Sequence, residues 1–153
     1  MGTVYSIERT NSNATPSVMN KTIQLGGRVR YARGEYEAAS LSAGEVIEMF
    51  KLPNGARIVR GELSHDALGS STTLSVGHAA YKNADGTDVA LDADEFKAAA
   101  ASTSLQVVDI AATVALGRNS VIDADENGFM VTATIAGAAG TGTIVVQMEY
   151  VLD

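Results

Sequence analysis

The sequence has no cysteine and no tryptophan, and only 5% of its residues are aromatic. Without cysteine the chain forms no disulfide and no thiolate metal site, a pattern typical of intracellular assembly but not restricted to it. No eighteen apolar residues run together, so we expect no membrane-spanning helix and no membrane partner. Residues 1–20 hold no apolar stretch long enough for a secretory signal peptide.

Basic residues are also few. Eleven Lys and Arg face eighteen Asp and Glu, giving a formal charge of −7 and a pI near 4.7. Binding to phosphate backbones needs a surplus of positive charge, so we expect no nucleic-acid partner. The 153 residues fit one domain, and a hydrophobic content of 46% excludes wholesale disorder. Ala and Val dominate the apolar residues, which predicts a core of small side chains.

Residues 1–27 are rich in Asn, Thr and Ser, and their apolar residues are too sparse for a helical stripe or a strand alternation. We interpret them as an extended N-terminal arm. Either the arm is a partly ordered terminus, or it becomes ordered by lying along a neighbouring subunit. On the second interpretation its apolar residues Val18, Ile23 and Leu25 bind the partner.

Residues 28–153 are predicted to form a single β domain organised around residues 50–78. Turns are predicted at Pro53-Asn54-Gly55 and at Asp85-Gly86, a dipeptide that favours a hairpin. Gly34 indicates a bulge or kink in the first strand. The pattern predicts strands at 28–37, 45–52, 56–63, 72–81, 87–91, 105–116, 129–136 and 143–152.

One short helix is predicted from Asp92 to about Ser102, because Asp92 and Glu95 form a capping pattern before four alanines. A helix of two to three turns is too short for the repeated crossovers of a parallel sheet, so the strands are expected to be antiparallel. The predicted fold class is a mostly β, antiparallel β-sandwich, jelly-roll-like, with a barrel as the open alternative.

The segment Asp123 to Gly128 matches the first half of a calcium loop, in which alternate oxygens converge around a glycine turn. The twelfth position is Thr134 where a bidentate carboxylate is needed. A solvated hairpin turn is therefore the favoured interpretation, and we predict no metal site and no cofactor.

Ser64, His65 and Asp66 are the residue types of a hydrolase triad, but neighbouring residues of a strand point to opposite faces. His78 lies in an apolar strand. We interpret both histidines as structural, find no phosphate-binding loop, and predict that the protein is not an enzyme.

Arg28, Arg30 and Arg33 form the one dense basic cluster of the chain. They form either a solvated strand face or a set of guanidinium groups that dock on carboxylates of a partner subunit.

Residues 28–152 resemble structural proteins of tailed-bacteriophage virions. The similarity lies in LPNGARIVRGELSHDALGSSTTLSVGHAAYKNADGT, DVALDADEFKAAAA, DIAATVALGRNSVIDAD and TATIAGAAGTGTIVVQMEYVL. Among these proteins the chain is similar to head decoration, or cement, proteins.

This resemblance implies a jelly-roll-like β-sandwich that assembles as a homotrimer on the outside of a phage capsid and stabilises it. Its partners would be the major capsid protein and further copies of itself. The protein would be made in the host cytoplasm and end in the virion. The alternative is a phage tail or spike component acting as a receptor- or carbohydrate-binding β module, although such modules use exposed aromatics and this chain has five Tyr, three Phe and no Trp.

Overall fold

The computed structural model describes residues 4–22 and 24–152. It contains one α-helix, ten β-strands and a short 3₁₀ helix at Val114–Leu116. In chain order the elements are α1 Ile7–Asn13, β1 Val29–Leu41, β2 Val46–Leu52, β3 Arg57–His65, β4 Thr73–His78, β5 Tyr81–Lys82, β6 Asp88–Val89, β7 Asp92–Ala101, β8 Gln106–Ile110, β9 Phe129–Ala136 and β10 Gly140–Val151.

The eight long strands form two antiparallel four-stranded sheets, and β5 and β6 pair in a separate small hairpin. Sheet one has the order β1-β10-β3-β8 and sheet two the order β2-β9-β4-β7. Numbered without the hairpin, these orders are 1-8-3-6 and 2-7-4-5, the strand order of a jelly roll. The predicted sandwich is confirmed, and the barrel alternative is wrong because the strands separate into two sheets.

The core lies between the sheets and follows the alternation of the strands. In β10 the residues Ile144, Val146 and Met148 are buried, while the intervening Val145 and Gln147 are half-buried on the outer side. Val151, which follows a register shift against β3 after Glu149, is also buried. Sheet two contributes the facing layer, which includes Leu52, Leu74, Val76, Phe129, Val131 and Ile135.

The predicted helix at residues 92–102 is wrong, because this segment forms β7. Strand β7 pairs with β4, with Thr73 opposite Ala101 and Leu74 opposite Ala100. Helix propensity is worth less than about 0.7 kcal/mol per residue, so it does not outweigh the ladder hydrogen bonds and the burial of Phe96. The Asp92 carboxylate still accepts a backbone hydrogen bond, from Asp94 N at 3.0 Å, but as a local turn within the strand.

Three further predictions are corrected by the structure. The N-terminal arm is not extended throughout, since Ile7–Asn13 is helical. The predicted strand at 105–116 ends at Ile110 and is followed by the 3₁₀ helix. Gly34 makes no bulge: it pairs in register with Val146, and the irregularity of β1 comes after Ala38.

Gly34 instead allows the two sheets to meet at one side of the sandwich. A Cβ at this position would lie 2.6 Å from Met49 O and 3.0 Å from Met49 Cα. Strands β1 and β2 therefore approach each other backbone to backbone. This close approach places the edges of β1 and β2 on one lateral side and those of β7 and β8 on the other.

Candidate functional site

The N-terminal arm carries the largest set of apolar side chains that the sandwich leaves uncovered. Helix α1 has no buried residue, and Ile7 is 71% exposed. Val4 and Met19 are each 94% exposed. Tyr5, Val18 and Leu25 are exposed as well. The arm therefore presents six apolar residues that the described part of the chain does not bury.

Short-range hydrogen bonds give the arm its shape. Ser6 caps α1 by accepting a hydrogen bond from Arg9 N at 3.2 Å. Asn20 folds back onto the helix, donating from Nδ2 to Glu8 O and accepting from Asn11 Nδ2, each at 3.1 Å. These contacts are local, so they order the arm without attaching it to the sheets.

The arm meets the sandwich at Gly27, immediately before β1. A Cβ at Gly27 would lie 2.3 Å from Val151 Cγ1 and 2.5 Å from Thr22 O, so only glycine fits between the arm and the end of β10. Of the three predicted apolar partner-binding residues, Val18 and Leu25 are exposed, and Ile23 lies outside the described residues.

The three predicted arginines are exposed but do not form one cluster. Arg30 lies opposite Tyr150 and Arg33 opposite Gln147, three residues apart on β1, so their side chains project from opposite faces of the strand. Arg33 forms an ion pair with Glu35. Neither Arg28 nor Arg30 makes an ion pair with any residue that the structure describes.

A polar ladder covers the outer face of sheet one. Tyr31 Oη donates to Gln147 Oε1 at 2.6 Å, and Gln147 Nε2 donates to Glu62 Oε1 at 2.8 Å. Arg60 pairs with Glu149 at 2.7 Å. This contact raises the pKa of Arg60 and lowers the pKa of Glu149. The ladder joins residues distant in sequence, so no local pattern could have predicted it.

In the calcium-like turn, two carboxylates accept hydrogen bonds from backbone N–H groups. Asp125 Oδ1 accepts from Asn127 N at 2.9 Å, and Asp123 Oδ1 accepts from Ala84 N at 3.3 Å. Gly128 adopts a left-handed φ of 76°. No group of three metal-ligating side chains comes together in residues 4–22 and 24–152.

The Ser64-His65-Asp66 triplet does not assemble into a triad. His65 is buried with Nδ1 2.7 Å from Asp66 O, while the Asp66 carboxylate accepts from Thr143 N at 3.0 Å. This hydrogen bond lowers the pKa of Asp66. Asp66 therefore joins the β3 end to β10, which is a structural role.

His78 lies in an aromatic cluster at the end of β4. Its ring centroid is 4.9 Å from that of Phe129 and 5.3 Å from that of Tyr81. Nδ1 lies 2.9 Å from Ala79 O, so this nitrogen carries the proton that the carbonyl accepts. His78 is 7% exposed, and its Nε2 makes no hydrogen bond with the described residues.

A cavity of about 330 Å³ opens beside this cluster. Its floor is apolar, formed by core residues such as Ile58, Phe96 and Phe129, and its rim carries the Glu95 and Asp123 carboxylates. Both carboxylates raise the pKa of Tyr81, after the larger effect of burial. No sequence pattern indicates this cavity, because its residues come from five separate segments.

No helix within residues 4–22 and 24–152 has the length and apolar character that a membrane span requires.

The sequence matches no protein-family model and no curated protein. Solved structures do match its fold. A chain in the capsid asymmetric unit of cyanophage Pam1 superposes with a TM-score of 0.61 at 20% identity, covering 92% of this chain and 97% of that chain. A chain in the capsid of Ralstonia phage GP4 gives 0.62 at 24% identity, covering 83% of this chain and 86% of that one.

A chain in the acid-stable capsid of Helicobacter pylori bacteriophage KHP30 gives a TM-score of 0.50 at 18% identity, over 81% of this chain and 87% of that one. Infectious bursal disease virus, strain Gx, contains a similar domain with a TM-score of 0.52, but there the match covers only 32% of the viral chain. At these identities the similarity shows a shared fold, which recurs in capsids.

Proposed function

We propose that this chain is a non-enzymatic structural protein of a phage virion that binds the outer surface of the assembled capsid and stabilises it as a decoration, or cement, protein. The observation that carries the proposal is the match over 97% of the chain from the cyanophage Pam1 capsid. That chain is about as long as this one, so the jelly roll there is a small chain in its own right, and this supports a small separate capsid component.

The uncovered arm supports attachment to a neighbouring subunit. Burying apolar side chains such as Val4, Ile7 and Met19 stabilises a complex by about 25 cal/mol per Å² of apolar surface removed from water. We propose that residues 1–27, together with Arg28 and Arg30, bind the major capsid protein or a further copy in a homotrimer. Val18, Ile23 and Leu25 are assigned to the same contact.

The stabilisation would follow from mass action. A protein that binds only the assembled lattice, bridging adjacent subunits, shifts the equilibrium towards that lattice by RT ln(1 + [L]/Kd). At about one hundred times Kd this is about 2.7 kcal/mol for each site. The function therefore requires binding geometry and no catalytic group.

Labelling of intact virions with an antibody against this chain tests the proposal. Signal distributed over the whole head supports decoration of the capsid exterior. Signal confined to the tail contradicts it and supports the alternative, a receptor- or carbohydrate-binding module. Absence of the chain from purified virions contradicts both.

A further inference from the structure

The charge of the chain is strongly divided along the sequence. The first 33 residues hold five of the eleven basic residues and one of the eighteen acidic residues, so their formal charge is +4 and that of residues 34–153 is −11. Unlike charges placed on separate surfaces of one protein attract two copies to each other. The five basic residues are Arg9, Lys21, Arg28, Arg30 and Arg33.

The negative charge is concentrated at one end of the sandwich, which we name the acidic end. Its carboxylates come from the β5–β6 hairpin, the start of β7 and the loop before β9: Asp85, Asp88, Asp92, Asp94, Glu95, Asp123, Asp125 and Glu126. The chain folds them together, since Asp125 N donates to Lys82 O at 2.8 Å and Ala84 N donates to Asp123 Oδ1. In the described part of the chain, Asp88 alone of these eight forms an ion pair, with Lys82.

Within the acidic end the carboxylates of Asp92 and Asp94 repel each other, although the hydrogen bond from Asp94 N lowers the pKa of Asp92. Asp94 has a raised pKa, caused by its hydrogen bond with Asp92 and by the charge of that neighbour. A cation bound here would relieve the repulsion. The cavity behind Glu95 and Asp123 supplies aromatic walls from Tyr81 and Phe129. It also adjoins the buried His78, whose Nε2 receives no hydrogen bond from the part of the chain that the structure describes. An arginine side chain suits such a site, because its stem packs on apolar groups and its planar head binds carboxylates and rings.

The basic segment, Arg28 to Arg30, lies at the same end of the sandwich, at the start of edge strand β1, whereas Asp92, Asp94 and Glu95 lie at the start of β7 on the other lateral side. Val29 pairs with Val151, Val151 with Arg57, and Arg57 bridges to Val121 beside the cavity. From β1 to the far edge of this sheet is three strand spacings, about 14 Å. Arg28 and Arg30 form no ion pair with Asp94, with Glu95 or with any other residue that the structure describes.

We propose that the basic segment of one copy binds the acidic end of a second copy of this chain, with an arginine side chain in the cavity behind Glu95 and Asp123. The two surfaces differ, so the contact is head to tail, and such a contact closes into a ring when the rotation between copies allows it. Closure of this contact into a ring rests on the proposed homotrimer. The pairing of the basic segment with the acidic end does not depend on it.

Charge reversal of the full-length protein tests the inference, with self-association measured by analytical ultracentrifugation in about 50 mM salt, where charge attraction is weakly screened. R28E/R30E and D94R/E95R should each raise the apparent dissociation constant by about ten-fold or more. The combined variant R28E/R30E/D94R/E95R should return it to within about three-fold of the wild-type value, since opposite charges face each other again.

The matched control is R33E/R60E, which changes the net charge as much as R28E/R30E but lies on the outer face of sheet one; it should associate within about three-fold of the wild type. Circular dichroism establishes that each variant is folded. If D94R/E95R does not fold, the neutral variant D94N/E95Q replaces it and should weaken association in the same direction.

Wild-type protein that stays monomeric at high micromolar concentration overturns the inference. Equal dissociation constants for R28E/R30E and the wild type also overturn it. The same holds if the combined variant associates no more tightly than R28E/R30E or D94R/E95R. Binding to shells is measured separately by co-sedimentation. Shell binding without self-association supports the proposed attachment and refutes the contact between copies. Charge-dependent self-association without shell binding supports the contact between copies and refutes the attachment.

Discussion

Gly34 determines how closely the two sheets approach each other. At Gly34 the neighbouring atoms within 3.0 Å of an added Cβ all belong to the backbone of Met49, which has little freedom to move. We predict that Gly34→Ala lowers the free energy of unfolding by about 1–3 kcal/mol, through overpacking between β1 and β2.

Urea unfolding measures this loss, with Ala39→Val as control because it adds methyl groups at an exposed position of the same strand. The control should change the free energy of unfolding by less than about 0.5 kcal/mol. A Gly34→Ala variant as stable as the wild type would show that the sheets are not held at this distance.

The Asp66 carboxylate predicts a defined dependence of stability on pH. Its folded-state pKa is lowered by the hydrogen bond from Thr143 N, so the ionised form stabilises the fold at pH values above about 4, the ordinary aspartate pKa. This contribution is lost as the pH falls through the lower folded-state pKa.

We therefore expect the wild type to be more stable than Asp66→Asn at pH 7, with the difference shrinking as the medium is acidified below about pH 4. Urea unfolding at a series of pH values checks this. Asp109→Asn is the matched control, because no described residue donates a hydrogen bond to its carboxylate. A difference that stays constant down to strong acid would refute the assigned role of Asp66.

Strand β7 has one buried residue, Phe96. Phe96 is 2% exposed, and its ring centroid lies 5.9 Å from that of Phe129. We predict that Phe96→Ala lowers the free energy of unfolding by about 3–5 kcal/mol, whereas Phe96→Leu costs less than about 1.5 kcal/mol. Thermal and urea unfolding of the two variants measure this. If Phe96→Ala lowers the free energy of unfolding only slightly, the hydrogen-bond ladder to β4 holds β7 in place without the Phe96 side chain.

The strands could be predicted from sequence where alternation and turn residues agree. The sequence pattern predicts a strand at 129–136 with the bounds that the structure shows, and the predicted Asp85-Gly86 turn joins a short hairpin. β7 could not be predicted, because its alanines favour a helix and the pairing with β4 is a tertiary effect. For the same reason the spread of Arg30 and Arg33 over two faces, and the cavity beside His78, required the assembled sheets.

The arm is the element on which the proposed attachment depends. Deleting residues 1–24 should leave the sandwich folded with little change in melting temperature, because α1 buries nothing and the deletion ends before Gly27. The same deletion should weaken trimer formation or binding to shells, since its exposed apolar residues are lost.

The measurements are thermal unfolding of the truncated protein and its co-sedimentation with shells. A variant in which residues 1–24 are replaced by a Gly/Ser chain of equal length is the control for tether length alone, and it should bind as poorly as the deletion. Unfolding of the truncated chain would show that the arm belongs to the core, and undiminished shell binding would show that it has no attachment role.

At the scale of the whole molecule, one jelly roll presents three distinct surfaces: an uncovered apolar arm, a basic segment beside it and an acidic end. A lone domain gains nothing from exposed apolar side chains or from clustered carboxylates. Both features become favourable when neighbouring subunits cover them. These features support the proposed assembly, and chains of the same fold occur in phage capsids.

The most direct test of the central claim is the thermal disruption of purified shells that lack this protein, with and without saturating full-length protein. Bound protein should raise the disruption temperature, and the rise should increase with protein concentration until the sites are filled. The variant lacking residues 1–24, at the same concentration, should produce a smaller rise. Equal disruption temperatures with the sites shown to be occupied would contradict the cement function.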